Sequence, residues 1–199
     1  TMERIQGQVF FGRWIRALHR YSADASVLFT IIHAVRLFLQ GRTWGQRALA
    51  WLSGVVMRGF LFLSGWTGFI LVWDVQAHVL ALNGARIIDL LPLFPEPIHG
   101  QFASEATLSN MFFFANLFAH VALPLGLLFF LWIHVMRVAR AKLFPPKKLL
   151  LAVVSTLVLL SMVLPIGLDA PAKLDRIPAR HSVDWIFQFW LPFSQMPWM

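Results

Sequence analysis

Four stretches of this chain are each long and apolar enough to cross a bilayer, and no other feature narrows its possible folds as far. They run from about Ala23 to Leu39, Leu49 to Trp73, Met111 to Val138 and Leu149 to Leu168. A helical span needs about 20 mainly apolar residues. Lipid offers no partners to backbone polar groups, so segments of this kind cross as helices. With 58% hydrophobic and 13% charged residues over 199 positions, the composition is that of a membrane protein rather than a soluble domain. The expected fold is therefore an all-α membrane protein with four transmembrane helices, labelled spans B, C, D and E.

The connecting segments carry their own signals. Residues 1–18 read as a surface-lying amphipathic segment, with Phe10, Phe11 and Trp14 beside Arg13 and Arg16. They are too polar and basic for a secretory signal. Between spans C and D, "VLALNGARIIDLLPLF" suits one or two interfacial helices that "PEP" then breaks. The chain closes on an aromatic, interfacial tail, "WIFQFWLPFSQMPWM". Residues 1–142 form the expected helical bundle of the N-terminal segment and spans B to D, and residues 143–199 hold span E and the tail.

The formal charge of +8 is read as headgroup attraction and loop sidedness rather than nucleic-acid binding. The B–C loop carries Arg42 and Arg47, and the D–E loop carries Arg137, Arg140, Lys142, Lys147 and Lys148. The C–D loop has Arg86 against Asp74, Asp89, Glu96 and Glu105. The B–C and D–E loops are thus expected on the cytoplasmic side. Basic residues in both terminal segments blur that assignment. No cysteine is present, which excludes disulfides, thiolate metal sites and haem attached through C-x-x-C-H.

Histidines carry the chemistry. His19 and His33 are fourteen residues apart, and so are His120 and His134 in span D. At ~100° per residue, fourteen steps end about 40° short of four turns, so each pair projects from nearly one helix face. At ~1.5 Å per residue the two rings of a pair stand about 21 Å apart along the axis. One intervening span makes B and D parallel, which aligns the histidines at two depths. Two levels of two facing imidazoles is the arrangement that two stacked bis-histidine haems require. A lone intramembrane histidine is often a packed core residue, and proton relays also use histidine. Neither requires this duplicated spacing.

Span C adds Gly54 and Gly68, again fourteen apart. Glycine lets a flat macrocycle approach the backbone. In an antiparallel span, Gly54 stands at the level of His33 and His134, and Gly68 at that of His19 and His120. Arg16, one turn before His19, and Arg36, one turn after His33, are candidates to pair haem propionates, with Arg137 after His134 a further one. Snorkelling to headgroups is the alternative. For Arg58, inside span C one turn past Gly54, the sequence leaves open snorkelling, an anion near the inner haem, or a partner subunit.

"FGRWIRALHRYSADASVLFTIIHAVRLFLQG", "GFILVWD" and "HVALP" together make the chain resemble cytochrome b of the quinol–cytochrome c and plastoquinol–plastocyanin oxidoreductases, in its short, split b6-type form. The resemblance covers nearly the whole chain. It implies two haems b, with His19 and His120 ligating the outer one and His33 and His134 the inner one. It also implies electron transfer between quinone or quinol and partner redox subunits, an iron–sulfur protein or a c-type cytochrome among them, in a bacterial inner membrane.

The tail "LDAPAKLDRIPARHSVDWIFQFW" is similar to the family segment that leads into a P-E-W-Y quinol-site motif. That motif here reads "SVDWI", which puts Asp184 at the glutamate's place. Asp184 is thereby the candidate acceptor of a quinol proton, although the family's Pro and Tyr are absent and a solvated loop acid is the alternative. Val72 replaces the family's Pro before Trp73. The helix that precedes B in the family and the later family helices are also missing, so another subunit, a second copy or lipid is expected to close the bundle. These departures favour an alternative, a haem-bearing anchor without its own outer quinol site. A more distant alternative is a haem-free transporter or scaffold.

Overall fold

A computed structural model of the chain describes residues 2–90, 95–102, 104, 107–136, 138, 142, 144–174 and 184–188. The described residues form six α-helices: α1 (Met2–Gln8), α2 (Gly12–Leu39), α3 (Ala48–Val72), α4 (Val75–Asp89), α5 (Asn110–Met136) and α6 (Lys147–Val163). Short 3-10 turns stand at Gly45–Arg47 and Ile98–Phe102. Among the described residues there is no strand, only an isolated bridge between Asp74 and Pro171.

Among the described residues, three helical stretches are long and apolar enough to cross a membrane: Gly12–Leu39, Gly45–Val72 and Asn110–Met136. They correspond to spans B, C and D. Helix α5 buries none of its residues and exposes Phe114, Phe118, Leu125, Leu128 and Trp132. In water such a surface would drive aggregation. In lipid it is the ordinary outer face of a span.

Two boundaries differ from those expected. The N-terminal segment does not stay separate to residue 18. Only Met2–Gln8 forms its own helix, and residues 12–18 begin the long helix that carries His19. The break comes at Phe11, whose φ of 59° is left-handed. Gly12 follows because a side chain there would overlap the carbonyl of Ile5. Span E also ends early, at Val163 rather than Leu168. Pro165 forces this: it offers no N–H, and the residue before a proline is pushed out of the helical region. Leu164 accordingly sits at φ −119°, ψ 78°. The 17 residues of α6 rise only about 25 Å, short of the ~30 Å hydrocarbon layer.

The chain divides into two compact units, Thr1–Phe62 with Pro124–Gly167, and Leu63–Leu123 with Leu168–Met199. In the first, α2 packs along α1 and α6 rather than closely on the α3 and α5 segments. Carbonyls beyond the end of α6 have no helical partner and are taken by side chains from the other end of the chain. Gln6 Nε2 donates to Ile166 O (3.0 Å), and Tyr21 Oη donates to Leu164 O (2.9 Å).

In the second unit, Asp74 caps α4 by accepting from the Ala77 N–H (2.9 Å), and its other oxygen accepts from the Asp169 N–H (3.3 Å). Val75 N–H to Ala170 O and Ala172 N–H to Trp73 O complete the seam. Trp66 Nε1 donates to Leu80 O (2.9 Å), and Gly84 leaves room for the indole, which a Cβ would overlap. His78 is buried and donates from Nε2 to Phe102 O (3.2 Å). Burial pushes its pKa below the ordinary imidazole value, outweighing that carbonyl. Burial alone would raise Asp89, but the Ile98 N–H, the His99 ring and the His99 N–H together hold its carboxyl below the usual range.

Asp74→Ala removes both the helix cap and the link to residue 169. A lost cap costs about 1 kcal/mol, which lowers the melting temperature of a chain this size by about 2–4 °C. Limited proteolysis is expected to cut residues 169–174 sooner in the variant. Unchanged melting and unchanged cleavage would contradict the capping role.

Candidate functional site

Helix α5 brings two histidines to α3, and each meets the same local device. At the His134 level, Ser53 Oγ donates to Ala50 O (3.0 Å) and lies 3.0 Å from His134 Nδ1. A hydroxyl has one proton. With that proton on Ala50 O, the oxygen accepts from Nδ1–H, and the neutral ring keeps its lone pair on Nε2. Beside it, a Cβ on Gly54 would stand 3.4 Å from His134 Cε1.

At the His120 level, Nδ1 lies 2.9 Å from Ser64 O and 3.2 Å from Thr67 Oγ1. A carbonyl only accepts, so Nδ1 again carries the proton. The Thr67 hydroxyl is itself directed at the carbonyls of Leu63 and Ser64, at 2.9 Å each. Asn116 Nδ2 donates to Thr67 O (2.9 Å) and ties α5 to α3 at this level. A Cβ on Gly68 would stand only 2.9 Å from His120 Cε1. Pro124, four residues on, has no N–H to give the His120 carbonyl, so that helix rung is missing.

Ala50, Ser53 and Gly54 recur as Ser64, Thr67 and Gly68, each displaced by fourteen residues, the spacing of His120 and His134. The histidines and glycines stand out in the sequence; the hydroxyls beside the glycines do not. The signal that finds them is the register of "AWLSG" against "SGWTG".

On α2, His33 lies in the same compact unit as His134. Its side chain is exposed, as is that of His19. His19 belongs to the first unit and His120 to the second. Arg16 is half-buried and donates to Ile166 O (2.9 Å) and Gly167 O (3.1 Å). Arg36 stands exposed in the last turn of α2. Arg137 lies outside the described residues. Arg58 Nη2 donates to Thr30 O (2.8 Å). Asp184 is buried, and its carboxylate accepts from the Ile186 N–H (3.0 Å) while Phe187 packs edge-on against Phe69. Ser182 and Val183 of the tail motif lie outside the described residues.

An iron porphyrin brings four ligand nitrogens and asks the protein for two axial ones. His134 and His120 suit that request. Each has Nδ1 tied down, a lone pair on Nε2, and a glycine where a side chain would crowd the ring.

Residues 1–142 match the family of cytochrome b/b6/petB. The chain belongs to this cytochrome b family. It is 28% identical over 144 residues to the menaquinol:cytochrome c reductase cytochrome b subunit of Geobacillus thermodenitrificans, covering 71% of this chain and 64% of that one. It is 32% identical over 117 residues to cytochrome b6 of Synechococcus elongatus, covering 56% and 54%. The Bacillus subtilis menaquinol:cytochrome c reductase cytochrome b subunit is 28% identical over 114 residues, covering 54% and 51%. The chain thus spans between 51% and 64% of these three relatives. Membership in the cytochrome b family implies a membrane protein that binds haem b.

Ser53 Oγ is the side-chain hydroxyl that meets the His134 ring. Loss of an outer hydrogen bond to a ligating histidine costs about 10–100-fold in metal-site affinity. Ser53→Ala is expected to release haem to apomyoglobin correspondingly faster, and Ser53→Thr to restore retention. Equal release from all three proteins would contradict the role.

Proposed function

We propose that this cytochrome b holds two b haems in two tiers and conducts electrons across the membrane. The route runs between the quinone pool and partner redox subunits of a respiratory or photosynthetic-type complex. The observation that carries the reading is the repeated device on α3, a carbonyl, a hydroxyl and a glycine set under His134 and again, fourteen residues on, under His120. His33 completes the inner tier with His134, and His19 the outer tier with His120. Haem, when bound, supplies reversible one-electron chemistry at iron.

The chain's own residues do the rest. Ser53, Thr67 and Ser64 fix the imidazole tautomers, and Gly54 and Gly68 admit the macrocycles. Apolar span surfaces exclude water. Arg36 and Arg137, each three residues after an inner-tier histidine in the sequence, are suited to anionic propionates. Arg16, one turn before His19, is assigned that part at the outer tier. The B–C and D–E loops, rich in Arg and Lys, are assigned to the cytoplasm. Helix α6 serves as a fourth, short span, with lipid or a neighbouring subunit meeting its ends.

The menaquinol:cytochrome c reductase relatives support a quinol as electron source and a cytochrome-bearing complex as the setting. Asp184 is the residue placed to accept a quinol proton on the outer side. Its engagement with the Ile186 N–H specifically favours the second reading, a haem-bearing anchor whose outer site exchanges electrons only with a partner subunit.

The test uses the complex purified from native membranes. A reduced-minus-oxidised spectrum is expected to show a b-type α band that menaquinol reduces. Reduction that an outer-site inhibitor blocks and Asp184→Asn slows identifies a working quinol site. Reduction only through a partner subunit identifies the anchor. A spectrum without a b-type band would contradict both.

A further inference from the structure

Arg58 is a cation in the interior of a span, and the haem-binding residues leave it without a task. Ten residues separate it from Ala48, where α3 begins, a rise of about 15 Å, so the surface is not within easy reach of its side chain. It does not turn that way: Nη2 reaches sideways to the Thr30 carbonyl on α2, at 2.8 Å. Nε is buried and has no acceptor among the described residues. An ionised group inside a membrane is costly, and where one persists it marks function.

Its position is informative from both helices. On α3 it is four residues, one turn, from Gly54, whose absent side chain makes room for His134. On α2 the guanidinium is anchored at Thr30, three residues and again one turn from His33. It therefore lies one turn toward the membrane interior from both ligands of the inner tier, on the side away from the propionate-pairing arginines. Ten residues separate it from Gly68.

We propose that Arg58 sets the reduction potential of the inner haem, a proposal that rests on the two-tier reading above. A ferric porphyrin core with two neutral imidazoles carries one net positive charge, and the ferrous core carries none. A fixed cation one turn away, in a medium of low dielectric and beyond the reach of salt, opposes the charged form. It therefore raises the inner haem's potential and makes that tier the easier one to reduce, which favours inward electron flow.

The test is a redox titration of the α band in the full complex, with the inner component assigned by its loss in His33→Ala. Arg58→Gln and Arg58→Met remove the charge, and Arg58→Lys keeps it. At a fixed ambient potential, the ratio of reduced to oxidised inner haem is expected to fall at least tenfold in the neutral variants, a 59 mV downward shift for one electron. Less than a threefold change is expected in the Lys variant, and none in the outer component. Two b haems with an unmoved inner midpoint in whichever neutral variant assembles would overturn the role of Arg58 alone. An equal shift in both haems would overturn it too. A complex without b haem would instead overturn the two-tier reading.

Discussion

His33→Ala and His134→Ala are each expected to reduce the b-haem content from two to one per chain, with the outer haem's spectrum and midpoint preserved. The reason is geometric. In the proposed two-tier arrangement both residues serve one iron, while the tethers of His120 are Ser64 O and Thr67 Oγ1, further along α3. A five-coordinate haem held by one imidazole loses half its axial bonding and dissociates during purification. His19→Ala and His120→Ala are expected to give the complementary loss. Four variants then fall into two classes, sorted by tier rather than by helix. Sorting by helix, with His19→Ala and His33→Ala alike and different from the α5 pair, would contradict the pairing. So would loss of both haems from every variant.

Gly68→Ala is expected to empty the outer tier while Gly54→Ala leaves the inner tier filled. The two glycines hold equivalent places in the repeat, but their surroundings differ in one measurable way. An added methyl at 54 would meet His134 Cε1 at 3.4 Å, close to ordinary contact. At 68 it would meet His120 Cε1 at 2.9 Å, inside contact distance. The His120 ring cannot withdraw without giving up its bonds to Ser64 and Thr67. Overpacking of this kind costs about 1–3 kcal/mol, enough to displace the ring from the orientation a ligand needs. The measurement is the content of each haem, resolved by redox titration of the two α-band components. Equal tolerance at both positions, or greater damage at 54, would contradict the close approach at Gly68.

Spans B, C and D are legible in the sequence because hydrophobic run length is a one-dimensional property. The histidines and glycines are legible because a spacing of fourteen survives without coordinates. Ser53 and Thr67 share that spacing, yet serines and threonines are common in helices and their partners are backbone carbonyls. Only the coordinates show the hydroxyls facing the rings. The same blindness hides Arg16, whose acceptors at Ile166 and Gly167 are main-chain atoms about 150 residues away in sequence. Apolar content carried span E on to Leu168, and Pro165, a local steric fact, ended the helix at Val163. The left-handed Phe11 that starts α2 has no sequence signature, since a bulky aromatic residue is an unfavourable choice for that conformation. At Asp184 the tail motif marks the carboxylate, while its bond to the Ile186 N–H is visible only in the structure.

The pyridine haemochrome assay on the intact complex, normalised to copies of this chain, reads the two-tier arrangement most directly. Two b haems per chain are expected, one for each pair of imidazoles. A ratio of one, or none, would contradict it.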